Sequence, residues 1–548
     1  MLAPQELIPR HALAVLELPD AAAAGQSFLD SRFGKTLNGI KWPNIMQRLN
    51  IKRELRRTLE QNSSGLMYLL THPSFSKVFA RRLFFAQLPA PPALFGGEQQ
   101  HPLLANMLIV METGREDPEK LFSALLKIPR GTRNTIKHLG FTIHTFKAKQ
   151  KPKLYMATVG GRIIFSFARR PIKESITLFC NHLVDRKNSL LLNREYRTLA
   201  EQRPEKTDFF LYADLFRLKL HLGLLCARFS SQEISRDIRR PWAPGVRSLA
   251  FYHHREGKVD QLKTLVRFSP EQLYPFQRHI YSTPPSLSRS FQKVPADMVL
   301  SFWLNWLEPL LWWQSTIEHG EKEEVASADR IAAWIKEKTD MSMEQFFALF
   351  GKNFSVHVTE ISTAGLFPVP RLCFSIEIQD RKKMDEFLQK IIADLPVGRT
   401  IIGGVPVVSL LAAQGMLQPS YTFFNGNLLI ADSREQIEDI LLRQKKPLVA
   451  GKKFQAVDTD PEKPANLHLF ARIPEIINAL QELASWAGTM IAIRDQQTGA
   501  TSKILVDQVI TPVLGSFNTY SAIGIRSATA PNQLVIDAKA LRAGATAP

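Results

Sequence analysis

Along residues 107–181 the chain switches between two hydrophobic periods. Residues 107–112 are an apolar run of strand length. Asp117 and Pro118 then supply an N-cap and a first-turn proline, and Leu121, Phe122, Leu125 and Leu126 recur at helical spacing. Two strand-like runs follow, 141–146 and 154–157, with Arg130, Arg133 and Lys137 on the connection before them. Gly160-Gly161 predicts a tight turn into a strand over 162–167, and Pro171 opens a helix.

The same order returns 265 residues later, so the pattern reads as an internal duplication. Ile109, Val110, Met111 and Glu112 fall on Phe374, Ser375, Ile376 and Glu377, and Phe122 falls on Phe387. Gly161 falls on Gly426, Ile163 to Phe165 on Leu428 to Ile430, Arg169 on Arg434, and Ile172 on Ile437. Gly140 and Gly404 agree to within one residue. Upstream, Ile8-Pro9-Arg10 corresponds to Val294-Pro295-Ala296, and Phe95-Gly96 to Phe350-Gly351. Downstream, Pro204-Glu205-Lys206 matches Pro461-Glu462-Lys463, each ahead of an apolar run. Each copy closes with a predicted hairpin, 248–254 with 258–266 in the first and 521–526 with 533–539 in the second.

Runs of consecutive strands with intervening helices place the chain in the α+β class: two related repeats, each a largely antiparallel sheet with helices packed on one face. The expected units are 1–292 and 293–548, with an insertion near 30–95 in the first. That insertion carries Arg48, Lys52, Arg53, Arg56 and Arg57 on a predicted helix, intermingled with apolar positions as in an ordinary packed helix.

Composition narrows the class further. The chain has 548 residues, 45% hydrophobic and 22% charged, which excludes a disordered chain and a multi-span membrane protein. Cys180, Cys226 and Cys373 are widely separated and odd in number, so they specify no disulfide framework or metal knuckle and read as small buried side chains. The first residues lack the basic start and apolar core of an export signal. The most apolar window, 298–313, is interrupted by Asn305, Glu308 and Pro309, and it reads as a strand, a turn and a helix start.

The opening from Leu7 through Pro9, Leu13, Ala14 and Val15 to Asp20 resembles that of a bacterial envelope-associated domain family of unknown function. The resemblance continues through Phe95-Gly-Gly-Glu98, the strand followed by Asp117-Pro118, and the second opening at Val294. It implies a scaffold of the cell envelope, and it implies no reaction and no functional residue. Family members often follow an export signal or anchor, so a start at Met1 would instead suit a cytoplasmic protein.

Charge separates the two halves. Up to residue 292 there are 45 Lys plus Arg against 23 Asp plus Glu, a net of +22; the remainder has 25 against 28, a net of −3. Between Lys120 and Lys173 there are thirteen basic residues and no acidic one. The sharpest part is Lys147, Lys149, Lys151 and Lys153, on a predicted hairpin loop, with Arg130, Arg133 and Lys137 nearby. Such a patch suits phosphates of lipid headgroups, lipopolysaccharide or nucleic acid; the plainer reading is a solvated loop in a basic protein.

No Gly-x-Ser-x-Gly elbow, phosphate loop, dinucleotide fingerprint or His-Glu-x-x-His metal motif occurs, so no catalytic residue, cofactor or metal site is expected. His253 and His254 are adjacent on a predicted strand and point to opposite faces. Trp303, Trp306, Trp312 and Trp313 suggest core packing at the start of the second repeat or, alternatively, a hydrophobic surface for a lipid or protein partner. The expected function is a noncatalytic envelope binding or scaffolding protein that meets an anionic partner through its first repeat. The alternatives are a cytoplasmic nucleic-acid-binding protein and an enzyme or lipid carrier with an unrecognised pocket.

Overall fold

The computed structural model describes residues 3–49, 81–89, 106–112, 133–146, 153–181, 188–221, 245–288, 294–362, 369–411, 418–442, 446–458 and 462–544. The chain divides into two compact units: Met1–Arg255 with Leu262–Ser269, and Glu256–Gln261 with Pro270–Pro548. Both are α+β, with antiparallel strands and intervening helices.

The strands of unit 1 are β1 (Ala14–Leu18), β2 (Leu83–Gln87), β3 (Met107–Glu112), β4 (Arg133–His138), β5 (Phe141–Phe146), β6 (Leu154–Val159), β7 (Arg162–Ser166), β8 (Phe209–Asp214) and β9 (Val246–Glu256), followed by β10 (Val259–Phe268). They pair antiparallel in the order β4-β5-β6-β7-β3-β2-β1-β8-β9. Unit 2 contains β11 (Leu300–Leu304), β12 (Phe350–Ser362), β13 (Val369–Ile378), β14 (Val397–Ile402), β15 (Val405–Leu410), β16 (Ser420–Phe424), β17 (Asn427–Ala431), β18 (Leu467–Ala471), β19 (Tyr520–Ala530) and β20 (Gln533–Arg542). Their order is β14-β15-β16-β17-β13-β12-β11-β18-β19-β20, the sequence of unit 1 repeated.

Register extends the correspondence to single residues. Val110 lies opposite Ile164 and Phe84, while Ser375 lies opposite Leu429 and Ser355. Ile8 O accepts from Leu190 N at 2.8 Å, and Val294 O accepts from Leu448 N at 2.8 Å. The β6–β7 and β16–β17 turns run through Gly160-Gly161 and Asn425-Gly426, all four with positive φ. Two consecutive left-handed residues match the twist of a tight hairpin, and glycine adopts that conformation without a Cβ clash.

Two expectations are corrected by this register. Leu83–Gln87 occupies the place of Phe354 to Val358, so Phe95-Gly96 does not correspond to Phe350-Gly351. Arg133 and Lys137 lie not on a connection but on β4, opposite Phe146 and Thr142 of β5. β4 carries polar residues at most positions, which hides the strand period from a hydrophobic reading. The helix expected after Asp117 falls outside the described residues. Its counterpart is Arg381–Ile391, capped by Asp380 Oδ1 accepting from Lys383 N at 3.1 Å.

Each sheet is packed against helices. In unit 1, Ile109, Met111, Ile163 and Phe165 pack with Ala21 and Ala22 of the helix Ala21–Asp30. The opposite face carries the helix Arg169–Asn181, whose Ile172 and Ile176 are fully buried. In unit 2, Leu428 and Tyr421 join Ile335, Met384 and Phe387 from helices, while Leu429 and Ala431 meet Ile437 and Ile440 on the other face. Among the described residues, no helix is long and apolar enough to cross a membrane.

Ile172 and Ile437 hold the same place in the two units and are both fully buried. Ile172→Ala and Ile437→Ala should each cost about 2–5 kcal/mol. Urea denaturation checks this, and a loss confined to one variant would contradict the equivalence.

Candidate functional site

In unit 1 the helix Arg169–Asn181 buries Ile172, Ser175 and Ile176 and turns Arg170, Lys173, Glu174, Thr177, Leu178 and Asn181 the other way. These six follow the helical spacing that puts side chains on one face. They form one wall of a cavity of about 650 Å³. Pro9, Arg10 and His11 from the opening segment, His138 at the end of β4, and Arg217 beyond β8 complete much of its lining.

Four permanent cations, Arg10, Arg170, Lys173 and Arg217, thus converge on a cavity where, among the described residues, the lining carries one carboxylate, Glu174; Arg217 also pairs with Asp214, Nε lying 3.5 Å from Oδ2. Arg170 Nε donates to Glu174 Oε1 at 2.8 Å, and His11 Nε2 lies 3.6 Å from Oε2. Burial alone would raise the pKa of Glu174, but the bonds from His11 and Arg170 outweigh it and hold the carboxyl below its ordinary value. His138 Nε2 sits 3.4 Å from Thr177 Oγ1, which joins the end of β4 to the helix.

The predicted basic patch is only partly within view. Arg130, Lys147, Lys149 and Lys151 lie outside the described residues. Lys137 is exposed on β4, next to His138 of the cavity, and Lys153 is exposed immediately before β6. Arg10, Arg170, Lys173 and Arg217 were not singled out by sequence. Arg170 and Lys173 close the acid-free stretch that could have pointed to them, whereas Arg10 and Arg217 converge only through the fold.

Unit 2 holds a second cavity, of about 790 Å³, over the middle of its sheet. Alternation along β12 and β13 directs Asn353, Ser355 and His357, and Cys373, Ser375 and Glu377, to this side. Ser301 Oγ lies 2.9 Å from His357 Nδ1. Complete burial pushes the His357 imidazole pKa down to about 4, so the ring is neutral at neutral pH. Burial raises the adjacent Cys373 thiol to about 12, with Asp432 adding to the shift, so this sulfur remains a thiol.

One wall of that cavity is fixed by a chain of bonds. Trp303 Nε1 donates to Asn353 Oδ1 at 3.2 Å, and Asn353 Nδ2 donates to Glu377 Oε2 at 2.8 Å. The same oxygen accepts from the backbone N–H groups of Lys352 and Asn353, each at 3.0 Å. A Cβ on Gly351 would come within 2.5 Å of Glu377 Cγ, so glycine is what lets the carboxylate lie this close to the strand.

The tryptophans do not form one hydrophobic surface. Trp303 is buried with Phe454 and Phe470, and Trp313 packs on Phe347 at 5.8 Å between ring centres. Trp306 is half-buried and Trp312 is exposed. Strand alternation separates Trp303 from the helix Pro309–His319, so proximity in sequence does not become a shared face. His253 is held by Asp208, with Nδ1 2.8 Å from Oδ2, and stacks on Phe209.

No protein-family model matches the chain and no curated relative does, so the opening motifs do not place it in a family. Crystal structures of the protein TP0453 are similar over about half of it. Crystal form III shares 8% identity at a TM-score of 0.26, covering 51% of this chain and 84% of that one. Crystal form I shares 10% identity at a TM-score of 0.24, covering 49% and 80%. Likeness at this level assigns no residue a role.

The neutral His357 sets a pH dependence. The unfolded chain protonates this ring below about 6.5, the folded chain only below about 4. Its contribution is therefore constant above that window, and stability falls as pH drops through it. Between about pH 7 and about pH 5 this group alone should lower the unfolding free energy by about 2 kcal/mol. His357→Asn should lose that part of the decline in urea denaturation; an unchanged decline would contradict a neutral buried ring.

Proposed function

We propose that the protein is a noncatalytic binding component of the bacterial cell envelope whose basic first unit holds an anionic partner. The observation that carries this reading is the convergence of Arg10, Arg170, Lys173 and Arg217 on one cavity of unit 1, with Glu174 already engaged by Arg170 and His11. Guanidinium groups and a lysine in a recess present fixed donors to phosphate oxygens and concentrate positive potential there. A volume of about 650 Å³ admits a phosphorylated headgroup but not a nucleic-acid duplex, which favours a lipid or lipopolysaccharide headgroup as the partner.

The acid-free stretch from Lys120 to Lys173 extends this field. Lys137 and Lys153 are exposed contributors, and Arg130, Arg133, Lys147, Lys149 and Lys151 add charge by sequence. Long-range attraction from these groups would recruit an anionic surface, and the cavity would then hold one headgroup. The near-neutral second unit supplies no comparable field.

Retention on sedimented vesicles tests this. The full chain should bind phosphatidylglycerol vesicles, bind phosphatidylcholine vesicles weakly, and dissociate as salt rises. Each basic residue near an anionic membrane contributes about 1 kcal/mol. Lys173→Glu combined with Arg217→Glu should therefore cut retention at least ~tenfold, as should Glu at Lys147, Lys149, Lys151 and Lys153 together. Unchanged retention in both variants would contradict the reading, and RNA or DNA copurifying with the protein would favour a nucleic-acid partner instead.

A further inference from the structure

The two units carry the same register, so residues at equivalent positions can be compared directly. On the sheet face beneath the helix Arg169–Asn181, unit 1 places Val15, Phe84, Ala86, Leu108, Val110 and Ile164, all fully buried. The equivalent positions of unit 2 hold Ser301, Ser355, His357, Cys373, Ser375 and Leu429. Four of six apolar side chains are thus replaced by hydroxyl or imidazole groups, and the cavity of about 790 Å³ opens over all of the six positions except Ser301.

Buried polar groups cost stability unless they are bonded. Ser301 and His357 satisfy each other through Nδ1. No hydrogen bond to the hydroxyl of Ser355, which is 2% exposed, or to that of Ser375 is found among the described residues, although both line the cavity. Replacing Phe84 by serine in an otherwise repeated design forfeits apolar burial, so the polar substitutions weaken the sheet unless something uses them. The Trp303–Asn353–Glu377 chain, by contrast, is fully engaged and holds one wall rigid.

We propose that this cavity of unit 2 binds an uncharged, hydroxyl-rich small molecule of one or two sugar rings. The hydroxyls of Ser355 and Ser375 and the amide of Asn425 each donate and accept, the His357 imidazole offers its second nitrogen, and Glu377 Oε1, which takes no part in the chain from Trp303, accepts; this set matches vicinal hydroxyls. Trp303 and Phe424 add aromatic surface to the lining for the C–H faces of a ring. Among the described residues no lysine or arginine lines the cavity and Glu377 is its one charged group, so a phosphorylated or carboxylated ligand is disfavoured. The site is separate in chemistry and in location from the cation-lined cavity of unit 1, and the proposal does not depend on that reading.

Saturation-transfer NMR on the full chain tests it with methyl α-glucopyranoside, N-acetylglucosamine and maltose as probes, and glucose 6-phosphate as the charged control. At least one uncharged sugar should receive saturation and should bind more tightly than the phosphate ester. Ser355→Phe, which installs the residue of unit 1, should abolish that transfer. Ser375→Val, a small change that leaves the fold intact, should weaken binding at least ~tenfold by removing one donor–acceptor group. Absence of transfer to all three sugars would overturn the proposal. So would stronger binding of glucose 6-phosphate, or unchanged affinity in Ser375→Val with circular dichroism like that of the unaltered chain.

Discussion

In an antiparallel sheet the register decides which side chains share a face, and a slip of one residue would reverse every one of them. Both units of this protein depend on that constraint. The pairs Val110–Ile164 and Ser375–Leu429 fix β3 on β7 and β13 on β17 at equivalent positions, and the neighbouring strands inherit their faces from these. Paired left-handed residues at the hairpin turns hold the register, and buried Ile172 and Ile437 seat a helix on the same side of each sheet. Once the grid is set, the two copies can differ only in what occupies it.

Those differences divide the labour between the units. Apart from Glu17, buried opposite Phe84 and paired with Arg82 and Arg203, unit 1 fills its central face with apolar side chains, and it places its distinctive chemistry along the outer side of the helix Arg169–Asn181, where cations converge. Unit 2 exchanges the equivalent face for serines and a neutral histidine and keeps a cavity there. The first arrangement suits charge held at a recess, and the second suits directional hydrogen bonding without charge. Both cavities lie beside rigid strands and helices, so their lining groups are positioned before any ligand arrives.

Much of the architecture was legible because hydrophobic period and turn chemistry agree. Residues 141–146 and 154–157, the Gly160-Gly161 turn and the strand after it all occur as the pattern predicts, and the correspondence at 265 residues reappears in the pairing of Phe374 with Ile430 and Ile109 with Phe165. β4 was hidden because Arg133, Asn134, Thr135 and Lys137 leave no apolar face to detect. The long helix Ile473–Arg494 lies outside the pattern read from the repeat. Neither cavity could be read from sequence. Arg10, Arg170 and Arg217 are far apart along the chain, and Ser355 with Ser375 looks unremarkable until register sets them opposite each other.

The central claim is that equivalent positions on the two sheets are filled in one unit and open in the other. Cysteine accessibility measures this most directly: Val110→Cys and Ser375→Cys, each in a background with Cys180, Cys226 and Cys373 changed to alanine, are timed against a small methanethiosulfonate reagent. The account predicts that the thiol at 375 reacts at least ~tenfold faster than the thiol at 110, because reagent and solvent reach the second cavity while the first unit excludes them. Equal rates, or a faster reaction at 110, would contradict it.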